Sequence, residues 1–398
     1  MMKALKRFIV LLLLLGTGAC FALGVPTFKS YRGLGMGGAY VAVADDREAL
    51  HLNPAGLALV SSKGTHPMLD DDRYWREPWE LRWNFSGFDI PLTTGLELNR
   101  IQDRYRTALQ SKNLDTISNH AKFFEDIWAL DRTPVPINWH GEGQFTMPGF
   151  GFGGWGEIVP EFFIDHGALV PQIGIGLTSV QVIDVAVAQR FGDLSQLNLG
   201  IGYRVMALST SKKEIGGYDL LDVQDTAKAM ARKVLKDITS PQQWAHGINL
   251  GVIWFQNSEV RWGAAAQNLG MKLKEGWVTP DLAVGVDWAP WIVQRNDRWA
   301  RKVNFSAQYS DALGANYPIT YMPLAHVDMG MEWYQTLWPK VLTGRLSSGF
   351  HQGYPSFGFG GDLFRVLHLD GVTYSEEKGY FLGQSPERYY KIKFGMGF

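Results

Sequence analysis

Apolar side chains recur at every second position in segment after segment of this 398-residue chain, yet beyond residue 22 no apolar run approaches the roughly 18 residues that a membrane-spanning helix needs. A period of two places alternate side chains on opposite faces of an extended strand. If such a chain crosses a membrane, only a closed barrel pairs all of its backbone. The pattern is plainest where Leu197, Leu199, Ile201, Tyr203, Val205 and Ala207 share one face, with Asn198, Gly200, Gly202 and Arg204 on the other. It recurs in His246 to Phe255, Val260 to Asn268, Asp281 to Trp288, Lys302 to Tyr309, Ala325 to Trp333, Leu342 to Gly349 and Phe357 to Leu363. In a soluble sandwich the apolar face meets a second sheet; in a membrane barrel it meets lipid and the polar face lines a lumen. Period alone leaves both open.

Weaker candidates at 80–90, 145–157, 172–178, 181–191 and 367–376, with a C-terminal strand, bring the expected total to about 14, an even number that leaves both ends on one side. The short connections Gly192–Ser195, Asn257–Ser258 and Thr336–Lys340 then fall together on the expected periplasmic side, while the long segments 91–144 and 209–244 fall outside. Connections near 158–171 and 291–301 are longer than this asymmetry prefers. The long outer segments carry helical spacing: Leu98, Ile101, Tyr105, Ala108 and Leu109, then Phe123, Phe124, Ile127 and Trp128 in one, and Leu221, Ala227, Met230, Val234 and Ile238 in the other. Helices are therefore expected within about 95–131 and 218–239, as a lid or capture site for a greasy ligand or as packing over a barrel mouth.

The two ends point to export. Lys3, Lys6 and Arg7 precede the apolar run Phe8 to Leu15, and Cys20-Phe21-Ala22 offers small residues for signal cleavage after Ala22. An acylated Cys20 is the alternative, with Thr17-Gly18-Ala19 before it. Cleavage after Ala22 would remove the chain's single cysteine, and with it disulfides and thiolate metal sites. At the other end Tyr390, Ile392, Phe394, Met396 and Phe398 alternate with Lys391, Lys393, Gly395 and Gly397, which resembles the terminal strand read by the outer-membrane barrel assembly machinery. Fifteen tryptophans suit two interfacial girdles. A net charge of −1, without a basic stripe, argues against nucleic acid.

The densest motif follows the leader, from Tyr31 to Ala58. Gly33, Gly35 and Gly38 fit a dinucleotide-binding pattern, but no strand precedes them and no βαβ unit follows. Physically, Gly33, Gly35, Gly37 and Gly38 permit close backbone packing, Asp45 with Glu48 can form a capping box for a short helix through Leu52, and Asn53-Pro54-Ala55-Gly56 ends it.

Gly35-Met36-Gly37-Gly38-Ala39, the Ala44-Asp45-Asp46 step and Asn53-Pro54-Ala55-Gly56 resemble the N-terminal hatch of FadL-type outer-membrane transporters and of the related PorV-type proteins. The stretches from Leu346 to Gly361 and from Tyr374 to Gly379 resemble the ending of other members of that superfamily. The resemblance covers about 30 N-terminal and about 50 C-terminal residues and implies an all-β, 14-stranded antiparallel transmembrane barrel plugged by its N-terminal segment. It implies that Asp45, Asp46, Asn53, Pro54 and Ala55 hold the plug, and that hydrophobic molecules pass through the lumen or sideways through the wall. The expected organisation is a signal peptide over 1–22, a hatch over 23–60 and a barrel over 61–398 in outer-membrane lipid. Passive uptake of hydrophobic compounds such as long-chain fatty acids is the leading expectation; a PorV-like partner in protein secretion or surface attachment is the alternative, and a purely structural barrel a third.

No cofactor, metal or enzymatic chemistry is expected. His140, His246, His326, His351 and His368 lack metal-ligand spacing, and no G-x-S-x-G elbow is present. Asp45/Asp46 and Glu376/Glu377 are adjacent carboxylates, expected to diverge and to serve as caps and loop charges. Asn84-Phe85-Ser86 and Asn304-Phe305-Ser306 match a glycosylation pattern but lie on predicted strands.

Overall fold

Strands with one apolar and one polar face have to bury neither edge nor backbone if they close on themselves, and here they do. In the computed structural model β1 (Glu80–Pro91), β2 (Asn138–Met147), β3 (Phe150–Asp165), β4 (Gln172–Phe191), β5 (Leu197–Ile215), β6 (Gln243–Phe255) and β7 (Val260–Leu269) form half of the wall. The other half is β8 (Asp281–Trp288), β9 (Arg301–Tyr309), β10 (Val327–Trp338), β11 (Leu342–His351), β12 (Tyr354–Leu363), β13 (Leu367–Glu377) and β14 (Pro386–Gly397). Each strand pairs antiparallel with its sequence neighbours, and β14 pairs with β1 to close a 14-stranded barrel. Ala22–Leu23 pairs in parallel with Trp277–Val278 outside this sheet. The structure describes residues 22–23, 27–60, 80–91, 138–165, 172–191, 196–215, 243–274, 276–293, 301–312, 323–338, 341–364, 366–377, 382–383 and 386–397. The segments expected to be helical, 95–131 and 218–239, lie outside them, as does the leader before residue 22.

The expected strand total stands, but through two errors that cancel. The single strand expected at 145–157 is a hairpin of β2 and β3, turned at Pro148-Gly149, with Gly149 at φ 77°. The two strands expected at 172–178 and 181–191 are one, the 20-residue β4. Its alternation is broken in sequence because Val180 and Val182 are apolar yet face inward, both at most 1% exposed. With this correction the connection 166–171 moves to the same end as the long segments 92–137 and 216–242, and the short connections 148–149, 192–196, 256–259, 339–341 and 364–366 share the opposite end. Segment 289–300 remains longer than its companions there.

The faces follow the alternation. Leu199, Ile201 and Tyr203 are 39–50% exposed on the outside, whereas Asn198 and Arg204 are at most 1% exposed on the inside. On β14, Tyr390, Ile392, Phe394 and Met396 point outward and Lys391 and Lys393 inward. Exposed Trp288, Trp291, Trp338 and Phe364 ring the short-connection end, and Trp244, Tyr309 and Phe350 the other. An apolar outer band between aromatic rims is what a bilayer requires.

The polar inner face is covered by chain. Residues 27–60 form α1 (Tyr31–Gly35), α2 (Ala49–Leu52) and a 3-10 helix (Pro54–Ala58). Nearly all of this segment is buried, and it touches inward residues of strands on opposite sides of the ring. At its far end the Leu57 carbonyl accepts from Gly149 N, and the Ala58 carbonyl from the Arg190 guanidinium, both at the short-connection end.

Candidate functional site

The segment is held in place first by its own backbone. The Ser30 hydroxyl accepts from Gly33 N at 2.8 Å and starts α1. After α1 the chain turns through Gly37, at φ 69°, where a side chain would meet the Phe350 and Met329 backbones at about 2.5 Å. The expected capping box does not form. α2 begins at Ala49 without a side-chain cap; Asp46 Oδ1 accepts from Glu48 N, while Asp45 and Glu48 are drawn into ion pairs with the barrel wall. Burial decides this, because a carboxylate in the barrel interior gains more from a cation than from a neutral amide. α2 ends at Leu52, as the Asn53-Pro54 step requires. Asn53 Oδ1 then accepts from Ala55 N, Asn53 Nδ2 donates to the Val41 carbonyl at 2.8 Å, and Pro54 opens the 3-10 helix. Opposite it, the inward Gly200 of β5 lets the Pro54 and Ala55 backbone lie flat against the wall; a Cβ there would come within 2.3 Å of Ala55 N.

Charge fixes the segment to the barrel. Arg32 forks onto Glu332 of β10 through two 2.7 Å bonds, and its Nη1 reaches both Asp45 and Asp46 at 2.8 Å. These adjacent carboxylates were expected to diverge; no strand runs here, and both converge on one guanidinium. Burial opposes the Arg32 charge, but Glu332, then Asp45 and Asp46, outweigh it and raise its pKa above the ordinary guanidinium value. Burial likewise opposes the Asp46 charge, but Arg32 prevails and holds that carboxyl below its usual range. Asp45 also meets Arg261 of β7 at 3.2 Å and Lys302 of β9 at 3.3 Å, and Arg261 continues to Asp287. On the opposite wall Lys393 bridges Glu48 at 2.6 Å and Glu142 at 3.2 Å, and Lys29 pairs with Glu376. Buried pairs of this kind add little net stability, but removing one partner leaves a stranded charge at a cost of about 3–5 kcal/mol.

A third hub is Arg204. It binds Asp184 through Nε at 2.7 Å and Nη2 at 2.9 Å, donates to the His51 carbonyl at 2.8 Å and reaches Asn268 Oδ1 at 2.9 Å. Asn268, at φ 59°, sits in a β-bulge where the β6–β7 pairing slips between Ile248 and Leu250. One side chain thus ties α2, β4 and an irregular stretch of wall together.

Above this hub, toward the long-connection end, the interior turns apolar. Phe28, Trp155, Val180, Val182, Met206 and Leu208 form one buried cluster with Met271, Leu273 and Val278, which fold in from the connection after β7. The Phe28 ring lies 4.6 Å from His51 in a tilted pair and meets Trp155 edge-to-face at 5.8 Å. His51 Nδ1 lies 2.6 Å from Asp184 Oδ2, but His51 Nε2 and Trp155 Nε1 are buried with no hydrogen-bond partner among the described residues. Each such group costs roughly 1–3 kcal/mol.

Of the residues singled out in sequence, Gly33, Gly35, Gly37, Gly38, Asp45, Asp46, Asn53, Pro54 and Ala55 all lie in this buried segment. Tyr390, Ile392, Phe394 and Met396 form the outward row of β14, and Phe398 lies outside the described residues. Glu376 meets Lys29, while Glu377 accepts from the Tyr354 hydroxyl at 2.6 Å. The histidines are scattered: His246 lies outside against Tyr203, His351 pairs with Asp328, and His368 with Arg82 and Asp362. Sequence reasoning did not find Arg32, His51, Asp184, Arg261, Glu332 or Lys393 as anchors. A signal existed, since charged residues at inward positions of otherwise apolar strands need partners, but their partners lie up to about 345 positions away.

Among solved structures the chain is similar to the toluene transporter TbuX of Ralstonia pickettii, with 13% identity over 93% of this chain and 98% of that one and a TM-score of 0.46. It is also similar to the P. putida toluene transporter TodX, at 11% identity, 92% and 96% coverage and TM-score 0.39, and to the monoaromatic hydrocarbon channel CymD, at 10%, 92%, 95% and 0.41. No family model and no curated protein matches the chain.

Proposed function

We propose that the chain is an outer-membrane channel for passive uptake of hydrophobic compounds such as long-chain fatty acids, with residues 27–60 as its plug. The observation that carries this reading is the buried apolar cluster in which Phe28 of the plug meets Trp155, Val180, Val182, Met206 and Leu208 of the wall, beside His51 and Leu52. A water-filled pore has no use for an apolar interior patch, whereas a greasy solute leaving water needs one. The bulge at Asn268 gives the neighbouring wall an irregular stretch, and Arg204 joins it to the plug, so movement of one bears on the other. The hatch resemblance of Asp45, Asp46 and Asn53-Pro54-Ala55 supports the same reading.

The test is paired. In cells carrying Asn53→Ala with Pro54→Ala, entry of a labelled long-chain acyl compound should change severalfold and small polar solutes should begin to leak, while the barrel stays inserted and the surface proteome is unchanged. Unaltered acyl entry together with loss of a surface protein would replace this reading by the PorV-like one.

A further inference from the structure

We infer that the plug is built to leave its seat as one body through an exchange of ion-pair partners, because the charges on both sides of its contact with the wall hold a second partner on their own side. The inference rests on the reading of residues 27–60 as the plug of an uptake channel and adds how that plug opens.

On the wall, Glu332 takes the Arg32 fork and also lies 3.6 Å from Arg345. Arg261 reaches Asp45 and holds Asp287 at 2.9 Å. Lys393 reaches Glu48 and holds Glu142 at 3.2 Å, and Arg204 binds the His51 carbonyl and holds Asp184 at 2.7 Å. Within the plug, Arg32 keeps Asp45 and Asp46 at 2.8 Å, Asp46 accepts from the Tyr40 hydroxyl, and Glu48 accepts from the Ser30 hydroxyl. The other grips use lysines that water already reaches: the Lys29 side chain, 33% exposed on Glu376, and the Lys302 side chain, 27% exposed on Asp45.

Packing divides along the same line. Met36, Tyr40, Val43, Ala44, Ala49 and Leu59 of the plug belong to one buried cluster, so the body keeps a core of its own when it moves. Where its backbone bears on the wall, the wall offers glycines: Gly330 and Gly349 at Met36, Gly263 at Ala42 and Gly251 at Ala55. A glycine presents no side chain to interlock with the plug. Parting a buried ion pair is costly when it leaves a charge without a partner. Here the seated and the released arrangements both leave Glu332, Arg261, Lys393, Arg204 and Arg32 paired, as an element with two discrete arrangements requires.

The experiment is maleimide labelling of the full chain in nanodiscs, in a Cys20→Ser background, with urea kept below barrel unfolding. The reporters are Ala186→Cys on β4 and Ala265→Cys on β7, both buried against the plug, Ala186 beside Leu50 and Leu57 and Ala265 beside Val41. The two thiols should react at one shared rate, while Ala44→Cys inside the plug stays protected. Asp287→Asn and, separately, Glu142→Gln should slow the reporters at least about tenfold, because release then strands Arg261 or Lys393. Glu332→Gln, which removes a contact to the plug, should speed them. Wall pairs that only hold the barrel together would have the opposite sign. Unchanged or faster labelling in Asp287→Asn and Glu142→Gln, or none before the barrel unfolds, therefore overturns the inference. Reaction of Ala44→Cys at the reporters' rate overturns it in favour of local unfolding. Labelling reads release whether or not a solute passes, so these failures leave the uptake reading standing; that reading fails separately, on acyl entry in the Asn53→Ala, Pro54→Ala cells.

Discussion

At the scale of single residues the interior is decided by partnered charge. Arg32 is the clearest case, because it joins segment 27–60 to itself, through Asp45 and Asp46, and to the wall, through Glu332. Arg32→Met would leave Glu332 with the longer 3.6 Å contact to Arg345, and Asp46 with the Tyr40 hydroxyl and the Glu48 amide, and the segment is expected to loosen by about 1–3 kcal/mol. The check is limited proteolysis of the purified barrel with liposome swelling: segment 27–60 should become cleavable and sugars should permeate, while heat-modifiable gel mobility persists. Arg32→Lys, which keeps the charge but not the fork, should fall between. A fully resistant Arg32→Met segment would mean that the backbone fit alone holds it. Gly200 makes the complementary point about shape: Gly200→Val should push Pro54 and Ala55 off the wall and produce the same leak without touching any charge.

Elements are decided by facing. On β5, Ile201 is 50% exposed on the outside and Asn198 fully buried on the inside. Arginine at Ile201 would meet lipid and should destabilise by about 2–4 kcal/mol if the site lies near the bilayer midplane. Asn198→Arg should cost less, provided its side chain reaches polar lumen groups, and urea unfolding of both variants in liposomes would measure the difference. Equal losses on the two faces would argue that lipid is not what surrounds the barrel. The same parity explains where the strand reading failed. On β4 the inward Val180 and Val182 serve the apolar cluster, so the strand loses the polar half of its alternation where the interior is specialised.

For the whole molecule the closure of β14 on β1 joins the two ends of the wall. The outward row Tyr390, Ile392, Phe394 and Met396 belongs to that seam. If the end of the chain also serves as the assembly signal, deletion of Phe398 should lower the amount of folded barrel in the membrane without lowering export, read by heat-modifiable mobility. Undiminished folded protein would separate closure from recognition.

What the sequence determined by itself is what depends on neighbours two positions apart or on local backbone freedom. The outward band, the long and short ends, the close backbone packing at the glycines and the helix stop at Asn53-Pro54 follow from such short-range rules. Pro148-Gly149 is a turn signal, but the apolar residues flanking it made 145–157 read as one strand and hid the hairpin. Only the tertiary structure decided which charges meet. Arg32 finds Glu332 and Lys393 finds Glu48 because barrel closure brings distant strands around one buried segment. Asp45 is drawn from helix capping to ion pairing by the same enclosure, since the value of a cation to a carboxylate depends on the absence of water, and that is a property of the closed ring rather than of the residues beside it in sequence.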